Sequence, residues 1–217
     1  MDFIDKKIQS YAEMHTAIEP DYLYELNRYT NTNVLQPRML SGHIQGRFLA
    51  MMSQLMRPDY ILDIGTYTGY SALCLAEGLQ KSGKLYTLEG NEEYAEVAQA
   101  HIDKSPLASQ IILQKGDATR TIQEINYLVP AWDIVWIDAE KSEYELYYEL
   151  CIDKVRKGGL IMADNVLWSG KVVNESDIEK DEDTRSLNLF NQKIQADKRV
   201  QNLLLPIRDG IMMMQKV

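Results

Sequence analysis

The sequence predicts an α/β domain built on a mostly parallel sheet, with helices on both faces and a helical extension at its N-terminal side. Three observations carry this. After Pro58, short apolar runs alternate with stretches of helical periodicity, the pattern of β-α units. Before it, apolar residues recur only at helical spacing. Near the end, two apolar runs flank Arg208-Asp209-Gly210, a hairpin-turn signal that adds an antiparallel strand. With 217 residues and 45% hydrophobic content, the chain suffices for one well-buried core. Residues 1–217 are therefore expected to form one domain, with 1–57 as the helical extension and 58–217 as the core.

In chain order, Ile4, Ile8, Tyr11 and Ala12 mark a first helix. Tyr22, Leu23, Leu26 and Tyr29 mark a second, with Pro20 at its start. A third, over 43–56, carries Ile44, Phe48, Met51, Met52 and Leu55, a stripe that reads as core. Strands are predicted at 60–64, 84–88, 110–114, 133–137 and 159–163. Helices are predicted near 69–80, 91–104, 118–126, 142–155 and 183–196, and the runs 201–206 and 211–216 form the hairpin. The acidic segment 174–184 reads as a solvated loop. At its end Asp183 or Thr184 is placed to cap the helix carrying Leu187, Phe190 and Ile194.

The net charge of −9 argues against a broad nucleic-acid footprint, which needs a basic surface. The segment Met1–Lys7 has no apolar core of a signal peptide, and no apolar run approaches the roughly 18 residues of a membrane span. A cytoplasmic protein without a membrane partner is expected. Cys74 and Cys151 lie in apolar helical patterns and read as buried, reduced thiols. His15, His43 and His101 share no spacing, which disfavours a histidine metal site.

The most informative segment is Ile61-Leu-Asp63-Ile-Gly65-Thr-Tyr67-Thr-Gly69-Tyr-Ser71, a strand, a glycine turn and a helix start. Ligands of open α/β sheets bind beyond the carboxyl ends of strands. Gly65 permits the turn and the approach of a ligand to the backbone. The helix N-terminus at Gly69–Ser71 offers free N–H groups to a carboxylate, and Ser71 adds a hydroxyl. The spacing is G-x-x-x-G and fits the dinucleotide fingerprint poorly. Glu89 ends the second strand, 24 residues after Gly65, where an acid can bind both hydroxyls of a ribose. After the third strand, Asp117 precedes Ala118; it can accept from an adenine amino group or serve as a helix N-cap.

Two acidic pairs follow. The fourth strand runs into Asp138-Ala-Glu140-Lys141 and the fifth into Asp164-Asn165. Two carboxylates and an amide oxygen, with no His or Cys beside them, describe a hard-cation site for Mg²⁺, Mn²⁺ or Ca²⁺. Helix capping at both strand ends is the alternative. Near a bound dication the ammonium of Lys141 would be repelled and its pKa lowered, which suits a base.

These motifs, together with Asp164-Asn-Val-Leu-Trp168-Ser-Gly170 and the 26-residue step from Asp138 to Asp164, resemble those of the cation-dependent O-methyltransferases. That family includes caffeoyl-CoA and catechol O-methyltransferases and bacterial relatives, and the resemblance runs from about Asn33 to Met214. It implies a Rossmann-like class I methyltransferase fold, S-adenosylmethionine as methyl donor and S-adenosylhomocysteine (SAH) as product. It also implies a divalent cation, with Mg²⁺ the first choice, a small catechol-like or phenolic acceptor, and a homodimer. Asp138, Asp164 and Asn165 are the implied metal ligands, and Lys141 with Asp138 the catalytic pair. Asp63, Gly65, Tyr67, Gly69, Ser71, Glu89, Asp117, Ala118 and Asp138 are the implied cofactor-binding set, with Glu89 on the ribose and Ser71 on the methionine carboxylate. Trp168 matches an aromatic that borders the substrate, and Gln36–Gly42 a segment that closes over the cofactor. Two departures stand out: Asp63 replaces a common Glu, and Glu140 stands where many members have Asp. Three rivals remain. Some bacterial relatives of the same fold methylate a hydroxyuridine of tRNA, a substrate the acidic composition disfavours. An NAD-dependent dehydrogenase fits the glycine spacing poorly and leaves the acidic pairs without a role. A non-catalytic nucleoside-binding protein would have no use for Lys141 and the acids.

Overall fold

The computed structural model describes residues 4–217. The extension comprises α1 (Lys6–Met14), α2 (Asp21–Asn33), a short 3-10 turn (Pro37–Met39) and α3 (His43–Met56). The core follows as β1 (Tyr60–Ile64), α4 (Tyr70–Ala76), β2 (Lys84–Glu89), α5 (Glu92–Ile102), β3 (Ile111–Lys115), α6 (Ala118–Ile125), β4 (Trp132–Ile137), α7 (Tyr144–Ile152) and β5 (Val155–Ala163). It ends with α8 (Glu175–Lys180), α9 (Glu182–Ala196), β6 (Val200–Leu205) and β7 (Ile211–Lys216).

The strands form a seven-stranded sheet in the order β3-β2-β1-β4-β5-β7-β6. Every neighbouring pair from β3 to β5 is parallel, and β7 runs antiparallel to both β5 and β6. The order reverses at β1, which opens a crevice at the carboxyl ends of β1 and β4. The sheet is covered on both faces because its central strands are apolar on both. On β1, Leu62 and Ile64 join a core that includes Ile122, Tyr144, Tyr148 and Phe190 from α6, α7 and α9. Ile61 joins the opposite core with Leu26, Leu49, Leu73 and Ala98 from α2 to α5.

The structure departs from the sequence reading in several places. α3 turns a different face inward. Its buried residues are Gln45, Gly46, Leu49, Ala50 and Ser53, while Met51 and Leu55 are 62% and 72% exposed. Close approach to α4 decides this. A Cβ on Gly46 would lie 2.6 Å from Tyr70 Cε1, and one on Gly78 would lie 2.1 Å from the Ser53 carbonyl carbon, so small residues face the contact. α1 forms as expected but buries none of its side chains. α7 ends at Ile152, and β5 begins at Val155, whose pairing with Trp132 is followed by a register shift. The acidic segment is not an open loop: it contains α8, and Asp181 holds the N-cap position of α9, its Oδ2 accepting from the Thr184 hydroxyl at 2.6 Å and from no helix N–H. In the β6–β7 hairpin the bond from Gly210 N to Ile207 O makes Arg208-Asp209 the central pair, one residue earlier than the Asp-Gly signal suggests. Cys74 and Cys151 are buried free thiols, as expected. Among the described residues no helix is long and apolar enough to cross a membrane.

Candidate active site

The site grows out of the strand tips. The N–H groups of Gly65 and Thr66 both donate to Leu88 O, at 3.1 and 3.0 Å, which ties the glycine turn to β2. Gly65 has φ 101°, and a Cβ there would sit 2.0 Å from Asp138 O. Glycine is required because the β4 tip passes directly over the turn, a reason additional to ligand access. Asp138 N donates to Ile64 O at 2.8 Å and Asp164 N to Ile137 O at 3.0 Å, so the hydrogen-bond ladder continues past the strand ends. With Ile137 paired to Ala163, that ladder sets Asp138 and Asp164 side by side at one edge of the sheet.

Asp63, fully buried below the turn, accepts from Thr87 Oγ at 2.6 Å and from Ser71 Oγ at 3.2 Å. Burial pushes its pKa up to about 7, the two hydroxyls oppose the shift, and Asp138 and Glu89 add to it. Glu89 accepts from Tyr67 N at 2.6 Å through one oxygen and from Asn91 N at 2.9 Å through the other. Burial raises its pKa, with those N–H bonds opposing. Asp117 caps α6, its Oδ1 accepting from Arg120 N at 2.8 Å, so the N-cap alternative is realised. The carboxylate is exposed at the same sheet edge, with Ala118 opening the helix.

The extension closes the other side. Tyr67, Thr68 and Tyr70 bond to three separate parts of it: Tyr67 Oη to Leu35 O at 3.3 Å, Thr68 Oγ from Thr30 Oγ at 3.0 Å, and Tyr70 Oη to Glu19. Met39, Leu40 and Ser41 line one cleft together with Gly65, Tyr67, Ser71 and Asp138. The segment Gln36–Gly42 thus lies over the glycine turn.

At the acidic end, Lys141 Nζ donates to Asp138 Oδ1 at 3.0 Å and to Tyr144 Oη at 2.7 Å, and stands 5.9 Å from the Trp168 ring centre. Tyr144 Oη in turn donates to Asp164 O at 3.1 Å. Burial alone would lower the Lys141 pKa, but Tyr144 and Asp138 outweigh it and hold the ammonium above the ordinary lysine range. The lowering expected from sequence applies with a dication and a sulfonium beside the ammonium. Asp164 is 3% exposed, and its carboxylate accepts from Gln45 Nε2 at 2.6 Å and from Asn165 N at 2.8 Å. Burial first and the Asp138 charge second raise its pKa. A buried carboxylate in direct contact with two neutral donors and pressed by a second acid is a site short of positive charge. That electrostatic deficit fits a hard cation with Asp138, Asp164 and the Asn165 amide as oxygen donors. Among the described residues no group of three His, Cys, Asp or Glu side chains is placed to hold a metal ion.

Residues 13–217 match the O-methyltransferase family. The chain is 33% identical over 215 residues to probable caffeoyl-CoA O-methyltransferase 2 of Dictyostelium discoideum, covering 98% of this chain and 93% of that protein. It is 32% identical to caffeoyl-CoA O-methyltransferase 1 of Arabidopsis thaliana, over 92% of this chain and 79% of that one. Among solved structures, the O-methyltransferase from Bacillus cereus in complex with SAH superposes with a TM-score of 0.88 at 28% identity, over 97% of both chains.

This chain belongs to the O-methyltransferase family. The sheet order and the antiparallel β7 are those expected of the Rossmann-like methyltransferase fold, and the enzyme is S-adenosylmethionine-dependent.

The motif residues of this methyltransferase converge as the strand order requires: Asp63, Gly65, Tyr67, Gly69 and Ser71 at β1, Glu89 at β2, Asp117 and Ala118 at β3, Asp138 and Lys141 at β4, Asp164 and Asn165 at β5. Among the described residues, six of the seven non-glycine residues at positive φ lie around this edge (Gln36, Tyr67, Asn165, Trp168, Ser169 and Arg208), and strained backbone of this kind clusters at functional sites. Glu140 is exposed at the start of the turn that carries Lys141. Sequence reading missed Gln45, Tyr144 and Arg208. Tyr144 lies three residues after Lys141, a spacing that brings side chains together on a helical turn. Gln45 carried a weaker signal, a polar residue among apolar neighbours in α3. Arg208 carried none beyond its place in the turn.

Proposed function

We propose that the enzyme moves a methyl group from S-adenosylmethionine to a hydroxyl of a small catechol-like acceptor, with a divalent cation held by Asp138, Asp164 and Asn165. The observation that carries this reading is Asp164: a buried carboxylate beside a second acid, with no cationic side chain hydrogen-bonded to it. Caffeoyl-CoA methyltransferases among the relatives, and SAH in the B. cereus structure, support the donor and the acceptor class.

In this reading Glu89 takes the ribose, the helix start at Gly69–Ser71 takes the methionine carboxylate, and Asp63, Gly65 and Tyr67 shape the turn that receives the donor. Asp117 and Ala118 border the adenine. When bound, the cation supplies the charge that lowers the pKa of a neighbouring hydroxyl. With the cation and the sulfonium bound, the Lys141 ammonium is opposed by their positive charge and its pKa lowered, so that Nζ can take the hydroxyl proton while Asp138 and Tyr144 keep the nitrogen in place. Transfer makes the O–C bond and breaks the S–C bond, leaving SAH; alignment of the two reactants by Trp168 and the 36–42 segment supplies much of the rate.

Assembly and setting complete the proposal. Met51 and Leu55 are exposed on α3, near a groove of about 410 Å³ lined by Met52, Met56, Leu203 and Met213. This surface fits a homodimer contact. Two free buried thiols fit a reducing, cytoplasmic setting.

The test is turnover of labelled S-adenosylmethionine with a panel of catechols, caffeoyl esters and tRNA, with and without Mg²⁺. Catechol methylation that needs Mg²⁺ supports the reading. Methylation of tRNA alone, or full activity without a dication, overturns it.

A further inference from the structure

The fold joins three distant segments at Asp164. Gln45, fully buried on α3, places Nε2 2.6 Å from Asp164 Oδ2, across 119 residues of chain. Its Oε1 lies 3.4 Å from Arg208 Nη1, and the same Nη1 donates to Leu40 O at 3.0 Å. Gln45 is thus gripped at both ends, by the acid on β5's tip and by the hairpin turn, while Arg208 also holds the 36–42 segment. The other oxygen of Asp164 accepts from Asn165 N at 2.8 Å.

We infer that Gln45, oriented by Arg208, is the positioning residue that aims the Asp164 carboxylate for cation binding. A carboxylate has about four acceptor directions. Gln45 and Asn165 N occupy one on each oxygen, which fixes the plane of the group and leaves the remaining lone pairs for an ion. The choice of an amide matters. A neutral donor orients the acid without supplying the positive charge that would displace a cation; a Lys or Arg at this place would pair with Asp164 and compete. Partners of this kind orient metal-binding carboxylates, and their loss costs about 10–100-fold in affinity. The same contacts connect α3, the 36–42 segment and the hairpin, so the extension that covers the donor also holds the acid that binds the ion.

The inference rests on the metal reading above, and one experiment separates them. Mn²⁺ binding to the full-length enzyme is followed by loss of the free-ion EPR signal, in the presence of saturating SAH. SAH affinity and thermal stability are measured in parallel. Gln45→Met keeps the side-chain length and removes both the donor and the acceptor. It is expected to weaken Mn²⁺ binding about 10–100-fold while SAH affinity stays within about twofold of wild type. Arg208→Met, on an exposed turn, is expected to weaken Mn²⁺ binding by a smaller factor, and serves alone if Gln45→Met does not fold. Unchanged Mn²⁺ affinity in the folded variants, with wild type binding the ion, overturns the role of Gln45 and leaves the metal reading standing. No Mn²⁺ binding by wild type overturns the metal reading itself, and this inference with it.

Discussion

Thr87 on β2 donates a 2.6 Å hydrogen bond to Asp63 at the tip of β1, inside the sheet and below the glycine turn. The acid it serves is raised to about 7, by burial first, against the hydroxyls of Thr87 and Ser71. The sign of the consequence follows from linkage. The folded state holds the Asp63 proton more tightly than the unfolded chain, whose pKa is near 3.8. Between those two values folding therefore takes up a proton, and the contribution of Asp63 to stability falls as pH rises through the window. Above about 7 it is level. The slope from this one group is at most about 1.4 kcal/mol per pH unit. Thermal unfolding of the ligand-free enzyme across this range should show a decline that Asp63→Asn flattens. A variant with the wild-type pH slope would remove Asp63 as the titrating group.

Lys141 carries the second prediction. Its nitrogen is fixed by Asp138 and Tyr144, and removing it takes away the proposed proton acceptor. Lys141→Met should lower kcat by about 10²–10⁴-fold, the range of general-base contributions, and leave SAH affinity and KM for the acceptor nearly unchanged. A kcat equal to wild type would take Lys141 out of the mechanism.

Chelation tests the acidic pair. EDTA should abolish turnover, and added Mg²⁺ should restore it. Asp138→Ala keeps the backbone bond from residue 138 to Ile64 O, so the variant should fold while losing activity at any Mg²⁺ concentration. Turnover that persists after chelation would separate Asp138 and Asp164 from the chemistry.

Asp63, Glu89, Asp138 and Asp164 were legible in the sequence because each sits at the end of an apolar run, and parallel pairing forces such ends to one edge. The β-α alternation was legible for the same reason. α3 was misread because the number and size of its methionines outweighed the small residues opposite them. Its packing is decided by how closely Gly46 can approach Tyr70 on α4, a contact between segments that periodicity cannot register. Gln45 was hidden with it, since its partners Asp164 and Arg208 lie 119 and 163 residues away. Tyr144 was not read as a partner of Lys141: with Asp138 it raises the Lys141 pKa, a contribution left out of a reading that weighed only the expected cations.

Gly65 offers the sharpest test of how the turn and the acidic site depend on one another. Its φ of 101° is unfavourable for any side chain, and the added Cβ of alanine would fall 2.0 Å from Asp138 O. Gly116 is a built-in control: its φ is 123°, and a Cβ there would meet nothing within 4 Å. Both Gly→Ala variants carry backbone strain, about 1–3 kcal/mol, but only Gly65→Ala also drives β4's tip away from β1. Gly65→Ala should therefore cost about 2–4 kcal/mol, a fall in Tm of roughly 5–15 °C for a chain of this size. Gly116→Ala should cost less. SAH and Mn²⁺ affinities should fall together in Gly65→Ala, because moving Asp138 disturbs the donor pocket and the acidic pair at once. Equal losses of stability in the two variants would mean that strain alone, and not the passage of Asp138 over the turn, is what Gly65 relieves.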